Sequence, residues 1–344
     1  MNRKELLSTL TLVSRALASD NLLPPIFRCF CFTGGNVYAS NDQLAIMAPC
    51  PDGETFAVNG QTLLGLLENS SADEVEFTLV EQNCLIKAGR SRFKLPYFPK
   101  SEYLFAEPKE KPLGEFAIRQ IEVGGLTACL NTVSRDNTAP ALMGVFLHGP
   151  QHMLYSCDGD ALTRFDLGKK QTHPAVALLP TAFCETVLKI IAEVGTENSS
   201  LEISNSWVKA VLEQGYVCYA RLTANPTPLD HAGELKKSMR KPPSWVPVPD
   251  ELNAALSRAR VVADPETAPT FFKVEQGKLR INTLTSNGEV KDVVNLKHPD
   301  TEAKVNAALV QRALALCTEM SIFDNCTVYK NGGDLLIVIS NMGS

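Results

Sequence analysis

Apolar and polar positions change period several times along the chain. Leu6, Leu10, Val13 and Leu17 recur at helical spacing, with Lys4, Ser8, Thr11 and Arg15 on the opposite face. Phe183, Val187, Ile190, Ile191 and Val194 form a second stripe, with Lys189 on the far side beside Glu185 and Glu193. Leu252, Ala255, Leu256 and Ala259 form a third, which leaves Arg258 and Arg260 outside. In a fourth, Val310, Leu314 and Cys317 point inward and Arg312 outward. A less regular segment has Arg119 near its start and Arg135 just past its end. The spacing predicts six helices, starting near residues 2, 58, 118, 180, 249 and 305. Between them the period falls to two. In AGRSRFKLP (88–96), Arg90, Arg92 and Lys94 alternate with Ser91, Phe93 and Leu95, which predicts a strand with one cationic and one apolar side. A half-buried edge strand with a solvated basic face, a nucleic-acid contact and a seam with another chain all fit that pattern.

The pattern also repeats. LVSRALASDNLLPPIF begins at Leu12, TVSRDNTAPALMGVF at Thr132 and RARVVADPETAPTFF at Arg258; each reads as a helix end, a polar loop with proline, then an apolar strand. A second unit follows the same rhythm, with VNGQTLLGLLEN from Val58, LPTAFCETVLKIIAEVG from Leu179 and VNAALVQRALALCTEM from Val305, each ahead of a strand–turn–strand. The last of these turns carries Asn331-Gly332-Gly333, a hairpin signal. Three domains are therefore expected, at 1–107, 112–230 and 245–344. AEPKEKPLG (106–114) and the proline- and charge-rich stretch 225–250 read as linkers. The class is α+β with antiparallel sheets: three tandem copies of one domain, each with two helices packed on strands.

Composition narrows the function. With 344 residues, 44% hydrophobic and 21% charged, the chain can bury real cores. A net charge of −5 argues against bulk attraction to DNA, so any nucleic-acid contact must come from placement. The ten scattered cysteines show no zinc spacing and fit buried, reduced thiols in the cytoplasm. No apolar run approaches the ~20 residues of a membrane span, and the first segment reads as an amphipathic helix, not a signal peptide. No phosphate-loop, dinucleotide or nucleophile-elbow motif is present, and the five histidines share no ligand spacing. Cys157, Asp158 and Asp160 in YSCDGDALTRF crowd together, but Asp-Gly between strands is more simply a turn. The glycines of TGGNVY (33–38) are expected to turn a hairpin after FRCFCF. No catalytic residue, metal or cofactor is expected.

The threefold pattern, together with AGRSRFKLP, MGVFLHGPQHMLYSCDGDAL and ISNSWVKAVLEQGYVCYARL, resembles the bacterial DNA polymerase III beta subunits, the DNA sliding clamps. The resemblance implies a non-catalytic ring: two three-domain chains joined head to tail, with twelve helices lining a hole around duplex DNA. It places Phe93 and Leu95 of the 90–95 strand against Val261 and Val262 at a dimer seam, with Arg90 and Arg92 facing Glu289 and Asp292 of SNGEVKDVV. It makes Lys4, Arg15, Arg119, Arg135, Lys189, Arg258 and Arg312 candidates for sequence-independent phosphate contacts. It also implies a pocket for short apolar motifs of the polymerase and the clamp loader, near Leu142, Cys157, Gly159, Leu162, Pro228, Ile339 and Met342. The segment KKSMRK (236–241) reads as a solvated linker.

The chain departs from the family pattern in several places. Asp160-Ala161 replace a His-Arg pair after the Asp-Gly turn, and Asp20 replaces a basic residue. Pro140 and Ala141 stand where aromatic residues approach DNA, and the chain ends Ser340-Asn341-Met342-Gly343-Ser344 instead of in an apolar-proline-apolar-basic tail. These departures point to a phage or mobile-element clamp. They also keep open a clamp-fold interaction protein, a decoy or scaffold that no longer supports a polymerase.

Overall fold

The computed structural model describes residues 1–19, 22–136, 138–168, 174–223, 230–239, 241–263 and 269–342. It contains seven α-helices among these residues: α1 (Arg3–Val13), α2 (Gly60–Glu68), α3 (Gln120–Leu130), α4 (Thr181–Val194), α5 (His231–Ser238), α6 (Leu252–Val262) and α7 (Ala307–Leu314). Six of them match the predicted helices. The first half of the strands comprises β1 (Cys29–Ser40), β2 (Leu44–Asn59), β3 (Val75–Val80), β4 (Asn83–Ala88), β5 (Ser91–Phe98), β6 (Gly114–Ala117), β7 (Gly144–His148), β8 (Met153–Cys157), β9 (Ala161–Asp166) and β10 (Val176–Pro180). The rest are β11 (Ser200–Ile203), β12 (Trp207–Val211), β13 (Val217–Arg221), β14 (Val246–Pro247), β15 (Thr270–Glu275), β16 (Lys278–Thr285), β17 (Gly288–Asn295), β18 (Thr301–Val305), β19 (Glu319–Ile322), β20 (Cys326–Asn331) and β21 (Leu335–Ser340).

The chain forms two compact units. The first comprises Met1–Gln120 and Ala182–Asn225, the second Ile121–Thr181 and Pro226–Ser344. The middle segment, 112–230, is thus divided between them. The reason is pairing: β13 aligns Val217 with Met47 and Cys218 with Ile46 of β2, so strands on either side of the expected boundary at 107–112 share one sheet. That nine-stranded sheet runs β3-β4-β5-β2-β13-β12-β11-β6, with β1 on β2. The second unit holds an eight-stranded sheet, β10-β7-β8-β9-β21-β20-β19-β14, and a four-stranded one, β17-β16-β15-β18. The pairings between these strands are antiparallel, which suits sheets covered by helices on one side only.

Local chemistry sets the element starts. Asn2, Asn59 and Asn306 cap α1, α2 and α7 through their side-chain oxygens, taking up backbone N–H groups that the first helical turn leaves free. In α1, Leu6, Leu10 and Val13 are buried, and Lys4 and Arg15 remain exposed. In the second unit Leu252, Ala255, Leu256 and Ala259 of α6 join Val310 and Ala313 of α7 and the inner residues of β15–β18 in one core.

Two expectations are corrected. TGGNVY does not turn the chain. β1 continues through it with an irregularity between Thr33 and Gly35, where Gly34 (φ 66°) and Gly35 (φ 123°) absorb the bulge. The hairpin closes at 41–43, where Asn41 Oδ1 accepts from the N–H groups of Gln43 and Leu44, and Asp42 adopts φ 74°. The stretch 225–250 is not a bare linker, because it contains α5. Asp230 caps that helix by accepting from Gly233 N–H, and Leu235 anchors it in the core.

Candidate interface and partner site

The alternating segment 88–96 runs from the end of β4 through the turn at Gly89 and Arg90 into β5. Ser91–Pro96 pair with β4 along their whole length. On the other side β5 meets β2 only through Tyr97 and Phe98. Residues 91–96 therefore offer a second edge with no strand on it among the described residues. Arg92 and Lys94 are exposed and Phe93 and Leu95 half-buried, as the period-two pattern requires. Arg90 precedes the strand, one residue after Gly89 at φ 60°. No carboxylate among the described residues lies at ion-pair distance from Arg90, Arg92 or Lys94.

In the second unit, β17 is a terminal strand, paired only with β16. Val261, near the end of α6, is 81% exposed, unusual for a valine beside a sheet edge. Val262 is half-buried and its carbonyl accepts from Thr285 Oγ1 at 2.8 Å. The two carboxylates expected to meet Arg90 and Arg92 divide between the faces of β17, because they stand three residues apart on a strand of period two. Asp292 turns toward α6, where Arg258 donates to both of its oxygens at 3.0 Å. Glu289 turns outward and pairs with Lys291 at 2.8 Å. Arg92 stands on β5 and Arg90 in the turn before it, while Glu289 and Asp292 stand on opposite faces of β17.

All seven cations expected to face phosphate are exposed. Lys4 lies on α1, Lys189 on α4, Arg258 on α6 and Arg312 on α7; Arg15 follows α1, and Arg119 and Arg135 flank α3. Arg258 is engaged with Asp292, and Arg312 donates to Asn131 O at 3.0 Å. α6 and α7 are tied side by side, since Gln311 Nε2 donates to Asn253 and Ser257 while its Oε1 accepts from Arg260.

Three of the residues expected at a motif pocket line a cleft of about 60 Å³ in the second unit. Cys157, Gly159 and Leu162 of the β8–β9 hairpin form one wall, as expected. Val338 and Ser340 of β21 and Glu234, Leu235 and Ser238 of α5 form the others. Leu235 packs with Leu162, Val328 and Val338. Three expected residues are displaced. Ile339 is 1% exposed and faces the core on the opposite side of β21 from Val338, so its neighbours supply the wall. Met342 lies beside β18, where its N–H donates to Lys304 O. Leu142 sits in a short turn, Pro140–Leu142, and its carbonyl accepts from Ser134 N–H. Pro228 lies outside the described residues, as do Asp20 and Arg240.

The hairpin itself is built as a turn. Asp158 Oδ1 accepts from the N–H groups of Asp160 and Ala161, and Gly159 takes φ 102°. Burial raises both the Cys157 thiol and the Asp158 carboxyl above their ordinary ranges, which disfavours the thiolate a nucleophile needs. Among the described residues no group of His, Cys, Asp and Glu is placed to hold a metal ion, and no helix is long and apolar enough to cross a membrane.

These features define an α+β chain of helices on antiparallel sheets, with open strand edges at β5 and β17 among others and a small cleft beside its last strand. Its fold is that of the DNA polymerase III beta sliding clamps. A sliding clamp from Bartonella birtlesii bound to griselimycin superposes with a TM-score of 0.88 at 15% identity, covering 100% of this chain and 98% of that one. The corresponding Pseudomonas aeruginosa clamp gives 0.87 at 16%, with the same coverage. The beta subunit from Thermotoga maritima gives 0.85 at 19%, again over 100% and 98%. No protein-family model and no curated protein matches the sequence.

Proposed function

We propose that this chain is a DNA sliding clamp: a non-catalytic cytoplasmic processivity factor that encircles duplex DNA and tethers a polymerase. The observation that carries this reading is the superposition on sliding clamps over the full length of both chains, not over one domain. The reading divides the chain into three clamp domains, 1–107, 112–230 and 245–344, and closes two copies into a ring. The open edge of β5, with Phe93 and Leu95 beside it, pairs with the open edge of β17 of a second copy, near Val261 and Val262. Strand pairing supplies hydrogen bonds and apolar contact the adhesion. The exposed cations hold phosphate weakly and without sequence preference, and topology retains the ring. The cleft at Cys157 and Leu162 receives a short apolar motif from the polymerase or loader.

Loading on nicked circular DNA tests the proposal. A clamp stays on the closed circle through gel filtration and is lost once the circle is cut. Equal retention on circle and line, or none on either, rejects it.

A second reading is a clamp-fold decoy or scaffold that no longer serves a polymerase, encoded by a phage or mobile element. One observation favours it: the cleft that Leu235 of α5 lines has room for only about 60 Å³. In the loading assay this form gives a dimer that the circle does not retain.

A further inference from the structure

A separate cavity of about 660 Å³ lies wholly within the second unit, on the solvent face of β15–β18. The inner residues of these strands, among them Phe272, Val274, Leu279 and Ile281, are committed to the core. The outer face of such a sheet is ordinarily polar. Here Phe271 is 40% and Val293 58% exposed, and Met342 closes one end of the groove. Strand register sets the outward residues in rows. Lys291, Asn282, Phe271 and Lys304 stand in one row, and Val293, Arg280, Lys273 and Glu302 in the next.

The charge of the groove opposes that of the chain. Four cations line it, Lys273, Arg280, Lys291 and Lys304, against three carboxylates, Asp292, Glu302 and Asp324; Arg258 already holds Asp292, and Arg280 pairs with Glu275 at 3.8 Å. The whole chain carries −5. Lys304 has no carboxylate partner among the described residues, and its Nζ stands 5.6 Å from the centre of the Phe271 ring. The Lys273–Glu302 and Lys291–Glu289 pairs are solvent-exposed and so hold weakly, leaving these lysines open to exchange. In the floor, Asn282 Oδ1 is shielded from water without a hydrogen-bond partner among the described residues.

We propose that this groove binds an acidic peptide segment carrying one aromatic or large aliphatic residue. The apolar side chain packs on Phe271 and Val293, and carboxylates on either side of it reach Lys304 and Lys291. Those two lysines stand three strands apart, about 14 Å at ordinary strand spacing. An extended peptide covers that span in about four residues, so the acids fall at positions i and i+4 around a central apolar residue. This site is separate from the cleft at Cys157 and does not depend on the clamp reading.

The probe is a fluorescein-labelled heptapeptide of serine with two aspartates at i and i+4 around a phenylalanine, titrated by anisotropy at low salt. Expected are saturable binding, an affinity about tenfold lower when lysines replace the aspartates, and a similar loss in Phe271→Ser and in Lys304→Glu. Thermal melting of both variants checks that they are folded; Lys304 is exposed, so its variant decides if the other does not fold. Absence of saturable binding overturns the proposal, as does binding indifferent to Lys304→Glu. Displacement of the peptide by oligothymidylate overturns it in favour of a nucleic-acid strand.

Discussion

Asn306 begins α7 with a single oxygen: Oδ1 accepts from Ala308 N–H at 2.9 Å and Leu309 N–H at 3.3 Å. Replacing it with alanine leaves two donors to water at the edge of a core, and a cap of this kind is worth about 1 kcal/mol. Asn306→Ala should therefore lower the unfolding free energy by that amount and the urea midpoint with it, and Asn306→Asp should restore both; equal midpoints for all three proteins would rule the cap out. Arg258 presents a different problem, because two anions claim it. Its guanidinium is bidentate on Asp292, yet it is more than half exposed on a helix face proposed to meet phosphate. An exposed pair of this kind is weak, and a phosphate in reach would draw the arginine away. If so, Arg258→Gln lowers nonspecific duplex affinity and reduces the slope of log K against log salt by about 1. Asp292→Asn, which frees the arginine, moves affinity the other way. Identical salt slopes for wild type and Arg258→Gln would show that Arg258 stays on Asp292.

At the scale of elements, the proposed assembly rests on the strand edges of β5 and β17. Phe93 stands half-buried on β5 with one strand edge unpaired, and Val261 stands bare beside β17. A carboxylate at position 93 would be buried without a partner if the edges join, a cost of several kcal/mol against a seam of modest length. Phe93→Asp should convert dimer to monomer in native mass spectrometry, and a mutant dimer of undiminished abundance would exclude this strand from the seam. The strand was legible in the sequence because its period-two alternation is uninterrupted; four helices were legible from apolar stripes at helical period, and α2 and α3 from the repeat. α5 was not: a single buried leucine in a stretch rich in proline and charge carries no period, and only the Asp230 cap marks its start. The cleft was half legible. Its hairpin residues lie within six positions of one another, but the choice of Val338 over Ile339 depends on which face of β21 meets Leu162, and strand register settles that only in the folded sheet. The division of Glu289 from Asp292 follows from the same parity and could have been read from their spacing alone.

At the scale of the whole molecule, the cysteines couple both compact units to pH. All ten are thiols outside any disulfide, and nine are buried. Burial pushes Cys31 in the first unit and Cys129, Cys317 and Cys326 in the second from their ordinary 9.0 to about 12, and Cys29 to about 11. The unfolded chain ionises these thiols near pH 9, while the folded chain keeps them protonated. Their contribution to stability is therefore complete below pH 9 and is lost as pH rises toward the folded values. Each thiol costs about 1.4 kcal/mol per pH unit over that interval. Tyr155, raised by burial from 10.0 to about 12, joins only above pH 10, so the window from about 9 to 10 isolates the cysteines. The chain is already at −5 at pH 7, and further ionisation of the unfolded state does nothing to oppose the loss. Urea midpoints should be level up to about pH 8.5 and fall steeply by about pH 10. Cys129→Ala should fall less steeply, by one thiol's share. The thiols lie in both units, so the loss should register equally by circular dichroism and by tryptophan fluorescence, from Trp207 in the first unit and Trp245 in the second. Midpoints that stay level through pH 10 would mean that these sulfurs ionise in the folded chain, and that water reaches them there.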